Sequence, residues 1–270
     1  MSALLGLINL NGQTVTEADM ERMRAALANH GSGGGGLWKQ ENVGLGQRLM
    51  CFTPEDRLER QPLVSADGQR ALISNARLDN RPELTRALDI SPAEASALPD
   101  SVFILRAYEK WGEDCMRRLI GSFSFAVWDA RAQRLFVARS PFGGRTLFYY
   151  ATPHTLSFAT MPKALLTLPF VSRTLNEEKI ADFLVLNHAE IHTTFYRNVY
   201  RLPPGHLLTF GREGLNTLRY FHFDLKREIR FPHDDDYVEA FNELFERVVS
   251  DQLRSLTPVG VMMSGGLDSA

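Results

Sequence analysis

The stretch "VGVMMSGGLDSA" (259–270) sets glycines, hydroxyls and one carboxylate directly behind an apolar run. If a helix followed, its N-terminus and the amides of Gly265 and Gly266 would cradle an anion. Ser264 and Ser269 add hydroxyl donors. Asp268 would repel phosphate itself and suits the Mg²⁺ that accompanies phosphates. The motif is neither the Walker loop nor the dinucleotide fingerprint. A Gly-Gly pair after a strand is also an ordinary turn, and the residues alone leave both readings open.

Other chemistry-bearing residues point to structure. His188 and His192 stand four apart, a metal-ligand spacing on a helix, but no third ligand accompanies them. "HDDD" (233–236) suits the first turn of a helix better than a metal site. Cys51 and Cys115 are the only cysteines. They support neither a disulfide framework nor a metal set, and a reducing cytoplasm is the expectation. A formal net charge of −2 gives no global field for nucleic acid or membrane. No apolar run approaches spanning length. "MSALLGLINLNG" lacks the basic start and long apolar run of a signal peptide, so a mature N-terminus near Ser2 is expected.

These residues need elements to position them. "ALLGLINL" reads as a buried strand ending in the turn "NGQ". Thr16 caps a helix with Met20, Met23 and Leu27 on one face, stopped at Gly31. "GSGGGGLWKQ" (31–40) reads as a loop without regular structure, either a flexible tip or a flap over a substrate. "VGLGQRLMCF" and "RALISNARL" read as strands. "RPELTRAL" and the amphipathic "DSVFILRAYEKWGEDCMRRLIG" read as helices, with Asp100 as a candidate N-cap. Three hairpins follow, at "SFSFAVWDARAQRLFVARS", "TLFYYATPHTLSFAT" and "GHLLTFGREGLNTLRYF"; Phe123, Phe125 and Trp128 are core candidates. "EEKIADFLVLN" is helical. The charged "DLKREIRFPHDDD" (224–236) reads as a linker. Beyond it, Val238, Phe241, Leu244, Phe245 and Val248 mark an amphipathic helix, and "TPVGVMMSGG" a strand.

Together with "NARLDNRPEL", "GSFSFAVWDARAQRLFVARSPFGGRTLFYY", "FATMPKALLTLP", "RLPPGH" and "RYF", the terminal loop resembles the asparagine synthetase superfamily over essentially the whole chain. The resemblance implies an α+β fold. Residues 1–223 would form a four-layer αββα N-terminal-nucleophile domain of the class II glutamine amidotransferase type. Residues 224–236 would link it to 237–270, the truncated start of an α/β ATP-pyrophosphatase synthetase domain. ATP and Mg²⁺ would be the cofactors, with Ser264, Gly265, Gly266, Asp268 and Ser269 on ATP and Asp268 on the metal through pyrophosphate.

In glutamine-hydrolysing members the second residue is a cysteine, freed when the initiator Met is removed, and its own amine is the general base. Ser2 takes that place here, and a hydroxyl is a weaker nucleophile than a thiol. By the same resemblance Asn75 matches the oxyanion-hole residue, Arg48 the glutamine carboxylate clamp and Asp100 the ammonium acceptor. The family's Gly-Glu after the asparagine is Ala76-Arg77, which sets a cation where an ammonium would lie. The expectation is a glutaminase domain kept as scaffold.

The wording is similar to the cysteine-lacking branch, the lasso-peptide macrolactam cyclases and β-lactam synthetases. That implies a ligase that adenylates a carboxylate for attack by an amine on the same substrate. Its partners would be a precursor peptide or small amino-acid substrate, with a leader-peptide-binding protein or protease beside it. No nucleic acid and no membrane are expected, and a homodimer is open. A glutamine-hydrolysing asparagine synthetase and a non-catalytic docking domain are the alternatives. The chain by itself is expected to form no amide.

Overall fold

The computed structural model describes residues 1–267. Strands run over Ala3–Asn9 (β1), Gly35–Gln40 (β2), Val43–Arg48 (β3), Leu63–Val64 (β4), Arg70–Leu78 (β5), Gly121–Asp129 (β6), Arg134–Arg139 (β7), Phe148–Ala151 (β8), Thr155–Ala159 (β9), Val199–Arg201 (β10), His206–Gly211 (β11) and Gly214–Arg219 (β12). Helices cover Glu17–Ala26 (α1), Arg81–Ala87 (α2), Pro92–Ala95 (α3), Asp100–Trp111 (α4), Pro162–Leu165 (α5), Glu177–Leu184 (α6) and Asp234–Gln252 (α7). The strands form two six-stranded antiparallel sheets, in the orders β10-β8-β9-β1-β3-β2 and β12-β11-β7-β6-β5-β4.

Alternation along β6 shows how the layers arise. Ala126 and Trp128 point into the apolar cluster between the sheets, beside Leu4, Ile8 and Leu45 from the other sheet. Phe123, Phe125 and Val127 point the opposite way, into a cluster with Phe103, Ile104 and Ala107 of α4. A third cluster joins Leu5 and Leu7 of β1 to Met20 and Met23 of α1 and Leu165 of α5. The order helix, sheet, sheet, helix is the αββα arrangement. Both faces of β1 and β6 are covered, and β1 accordingly reads as a continuous apolar run. Each fully buried Phe or Leu contributes about 1.5–3 kcal/mol through removal of its surface from water.

Local signals set several boundaries. Thr16 Oγ1 accepts the Asp19 N–H at 3.1 Å and starts α1. Pro99, not Asp100, is the N-cap of α4; Asp100 lies in the first turn and makes no capping bond there.

The glycine segment departs from the expected irregular loop. Gly35–Gln40 pair with β3 from Gly35↔Arg48 to Gln40↔Val43, turning at Glu41 and Asn42. Gly35 has φ +131°, and a Cβ there would lie 2.1 Å from the Gln47 carbonyl oxygen. The glycines permit the strand to press against its neighbour, a use of glycine that composition does not reveal.

The expected strand at 259–263 is absent, with Val261 81% and Met262 98% exposed. A lone apolar segment forms no ladder without a neighbouring edge. Helix α7 starts inside the segment read as linker. The two histidines are not a helical pair: α6 ends at Leu184, His188 is exposed, and His192 stacks on Tyr200 at 4.9 Å between ring centroids. No helix among the described residues is long and apolar enough to cross a membrane.

Candidate functional site

Where the two sheets open at one end, the ends of β3 and β5 meet the residue before β1. A cavity of about 300 Å³ lies there, lined by Ser2, Gln47, Asn75, Arg77, Arg145 and Arg254 among others. Ser2 is 4% exposed. Its Oγ accepts the Met50 N–H at 2.9 Å and donates to the Met50 carbonyl at 3.3 Å. The hydroxyl is therefore held at both ends by one backbone residue. With Met1 attached, the Ser2 nitrogen is an amide and cannot serve as base. The Met1 amine lies against Met50 Sδ at 2.9 Å; partial burial and then the nearby Arg145 cation lower its pKa.

Asn75, buried midway along β5, donates from Nδ2 to the Ser2 carbonyl at 2.9 Å. Two glutamines bond to Ser74, the residue before Asn75; Gln47 also lines the cavity. Gln47 Nε2 donates to the Ser74 carbonyl at 2.7 Å, and Gln61 Nε2 to Ser74 Oγ at 2.9 Å. These bonds tie β3 and the strand-like entry to β4 onto β5, and so fix the end of one sheet against the other.

The other residues expected at the site are turned elsewhere. Arg48 does not line the cavity. It donates to the carbonyls of His30 (2.7 Å), Ala28 (3.3 Å) and Gly31 (3.4 Å). Asp100 does not line it either. One carboxylate oxygen pairs with Arg81, and the other accepts from the Leu78 N–H at 2.8 Å and Arg254 Nη2 at 2.9 Å. Arg77 does line the cavity, but its guanidinium forks onto Asp79 at 2.8 and 3.2 Å. The structure thus brings Ser2, Asn75 and Arg77 together and sets Arg48 and Asp100 behind other groups.

The reading of the sequence missed Glu59, Arg145 and Arg254, three charged residues that line the cavity. Glu59 is buried; desolvation raises its pKa to about 6, against hydrogen bonds from Ser101 and Gln61 that favour the charge. Arg145 is pushed down by burial and then by the Arg77 cation. Its Nε is buried without a partner among the described residues, as is Gln47 Oε1. Arg254 follows α7 in the chain. Burial alone would lower its pKa, but Asp100, then Glu55, outweigh this and raise it. "PFGGR" could have flagged Arg145 as a cation behind a tight turn. Arg254 pairs across 154 residues, a separation no local pattern encodes.

At the other end of the chain, Gly265 has φ +75° and open space around a Cβ, and the Gly266 N–H faces Ser264 Oγ at 3.4 Å. Asp268 and Ser269 lie outside the described residues.

The family model "Glutamine amidotransferase domain" matches residues 1–221, and "Asparagine synthase" matches 240–270. Asparagine synthetase [glutamine-hydrolyzing] 3 of Bacillus subtilis is 28% identical over 274 residues, covering 100% of this chain and 44% of the relative. Asparagine synthetase [glutamine-hydrolyzing] 2 of the same organism is 30% identical over 286 residues, covering 100% and 38%. The chain spans less than half the length of these two curated relatives. Among solved structures, glutamine phosphoribosylpyrophosphate amidotransferase from B. subtilis matches with TM-score 0.56 and 15% identity, over 81% of this chain and 49% of that one. This likeness shows the fold, the class II amidotransferase form of the N-terminal-nucleophile fold. The chain belongs to the glutamine amidotransferase domain family, in the form that leads into an asparagine synthase domain.

Proposed function

We propose that the chain is the N-terminal part of an ATP-dependent ligase that joins a carboxylate to an amine, with residues 1–223 kept as a scaffold. The observation that carries this reading is Ser2. It stands where hydrolysing relatives are expected to carry a thiol, and its hydroxyl is tied to Met50 both as donor and as acceptor. A hydroxyl is a weaker nucleophile than a thiol, and Ser2 Oγ is engaged by both the amide and the carbonyl of Met50. Arg48 and Asp100, the expected clamps for an amino acid, already have partners.

The residues at the end of the chain fit a phosphate. Packing does not require glycine at 265, whereas φ +75° favours it. Ser264, Gly265 and Gly266 would hold the phosphates of ATP. When bound, ATP supplies the activation that turns a carboxylate into an acyl donor. The Mg²⁺ assignment rests on Asp268, outside the described residues. Among those described, no group of three His, Cys, Asp or Glu side chains could hold a metal.

The amine would come from the substrate itself, as in macrolactam closure of a precursor peptide. The support is the serine at position 2 and the similarity of wording to the cysteine-lacking branch. A second reading, glutamine hydrolysis through Ser2, draws on the names of the curated relatives and on the contact between Asn75 and Ser2. Purified chain incubated with L-glutamine decides between them. No ammonia release is expected. Release that is abolished by Ser2→Ala would overturn the scaffold reading.

A further inference from the structure

Two arginines flank the turn between β7 and β8, and only one of them is satisfied. Arg139 is 4% exposed. Its Nε donates to the Arg145 carbonyl at 2.8 Å, Nη1 to the Leu202 carbonyl at 2.6 Å and Nη2 to the Gly143 carbonyl at 2.5 Å. Those bonds fix the turn, and with it the backbone of Arg145. Arg145 is half-buried and lines the Ser2 cavity. Its guanidinium has no hydrogen bond or ion pair among the described residues, and Nε is fully buried in that state. A cation withdrawn from water without a partner is costly.

The other charges of the cavity do not supply that partner. Arg77 is paired with Asp79, and Arg254 with Asp100 and Glu55. Asp56 Oδ2 accepts from the amides of Phe52 and Thr53, at 2.7 and 2.8 Å. Glu59 is 6% exposed and accepts from the Ser101 hydroxyl. After burial, the like charge of Arg77 acts on Arg145 more strongly than the opposite charge of Asp56. Gln47 shows the complementary need. It is 2% exposed and lines the same cavity; Nε2 donates to the Ser74 carbonyl, and Oε1 is left without a partner among the described residues.

We infer that the Ser2 cavity binds a small oxyanion, held by the fork of Arg145, whose own hydroxyl donates to Gln47. The guanidinium fork matches two oxygens of a carboxylate or of a phosphate. A hydroxy acid and hydrogen phosphate both carry the O–H as well. A volume of about 300 Å³ is at the small end for ligand sites and suits a compact molecule. The site goes beyond the scaffold reading, because the domain then keeps a pocket that binds without reacting. It uses none of Ser2, Arg48, Asn75 and Asp100, the residues matched to glutamine chemistry.

The test titrates the whole chain with sodium glycolate, sodium phosphate and sodium acetate at matched ionic strength, by calorimetry, beside Arg145→Met and Arg145→Lys. Thermal melting is followed with and without each salt. Wild type should bind glycolate or phosphate, and the preference names the oxyanion as carboxylate or phosphate. Acetate, which lacks the hydroxyl, should bind about fivefold more weakly than glycolate, the scale of one neutral hydrogen bond. Arg145→Met should lose about tenfold to a hundredfold in affinity, the scale of hydrogen bonds to a charged group. Arg145→Lys keeps the charge without the fork and should fall between. Without ligand, Arg145→Met should melt no lower than wild type, since it removes a cation that pairs with nothing. Absence of saturable binding for all three salts would overturn the site, as would binding that neither variant weakens. A lower melting point for ligand-free Arg145→Met would mean that the guanidinium has a structural partner, and would overturn the site too. Acetate binding as tight as glycolate would overturn the part given to Gln47. Ammonia release from L-glutamine, assayed separately, bears on the scaffold reading alone.

Discussion

Helices α4 and α7 carry the same kind of amphipathic pattern and meet opposite fates. In α4, Phe103, Ile104 and Ala107 are fully buried, packed with Phe123, Phe125 and Phe136 of the adjoining sheet. In α7, Phe241, Leu244 and Phe245 are 64%, 51% and 58% exposed, and no residue of the helix is buried. Periodicity tells which face of a helix is apolar and nothing about what covers it. The sandwich is a closed set of contacts within residues 1–221, whereas α7 is joined to it chiefly through the tail at Arg254 and Leu256.

The sharpest way to break this contrast is to truncate one aromatic in each helix. Phe103→Ala should cost about 3–5 kcal/mol, the usual loss for a buried phenylalanine. Phe241→Ala should fall within about 0.5 kcal/mol of wild type, as for a surface site. Urea denaturation followed by tryptophan fluorescence measures both, since Trp128 lies in the cluster between the sheets. A large loss at Phe241 would mean that α7 buries this face after all.

The two glycine-rich stretches sharpen the same contrast at the level of backbone. Gly35→Ala should cost about 2–3 kcal/mol, because its φ of +131° is joined by a Cβ placed 2.1 Å from a carbonyl oxygen. Gly265→Ala meets open space and carries only the left-handed φ of +75°, an effect of about 1 kcal/mol confined to a local turn. Global melting should register the first and miss the second. Equal effects would contradict the packing of β2 against β3.

This pair also marks how far the sequence could be read. Hairpins at β6–β7, β8–β9 and β11–β12 were legible because alternating strands flank short polar turns. Helix α1 was legible from Thr16 and its three-and-four spacing. The strand at 35–40 was not, since glycine has no side chain with which to show a period; its role comes from the neighbour it touches. The strand expected at 259–263 failed for the complementary reason, since β structure requires a partner edge. At the site, Ser2 and Asn75 were placed by motif. Arg254 and Glu59 depend on contacts between segments distant in the chain, and motifs carry no such information.

The smallest effect concerns charge at the seam between the two regions. Glu59 lines the cavity closed by the α7 tail, and burial lifts its pKa from 4.5 to about 6. A raised carboxyl pKa means that the folded state holds the proton more tightly than the unfolded state. Its favourable contribution is complete below about pH 4.5 and is lost as pH rises through about 6. That rise corresponds to roughly 2 kcal/mol. Glu59→Gln carries no such proton. The stability of this variant relative to wild type should rise by about 2 kcal/mol between pH 4 and pH 7, with most of the change between 4.5 and 6. Urea midpoints taken across that range measure it. A flat difference would mean that Glu59 is solvated at the seam, which requires the cavity mouth, and with it the α7 tail, to stand open in solution.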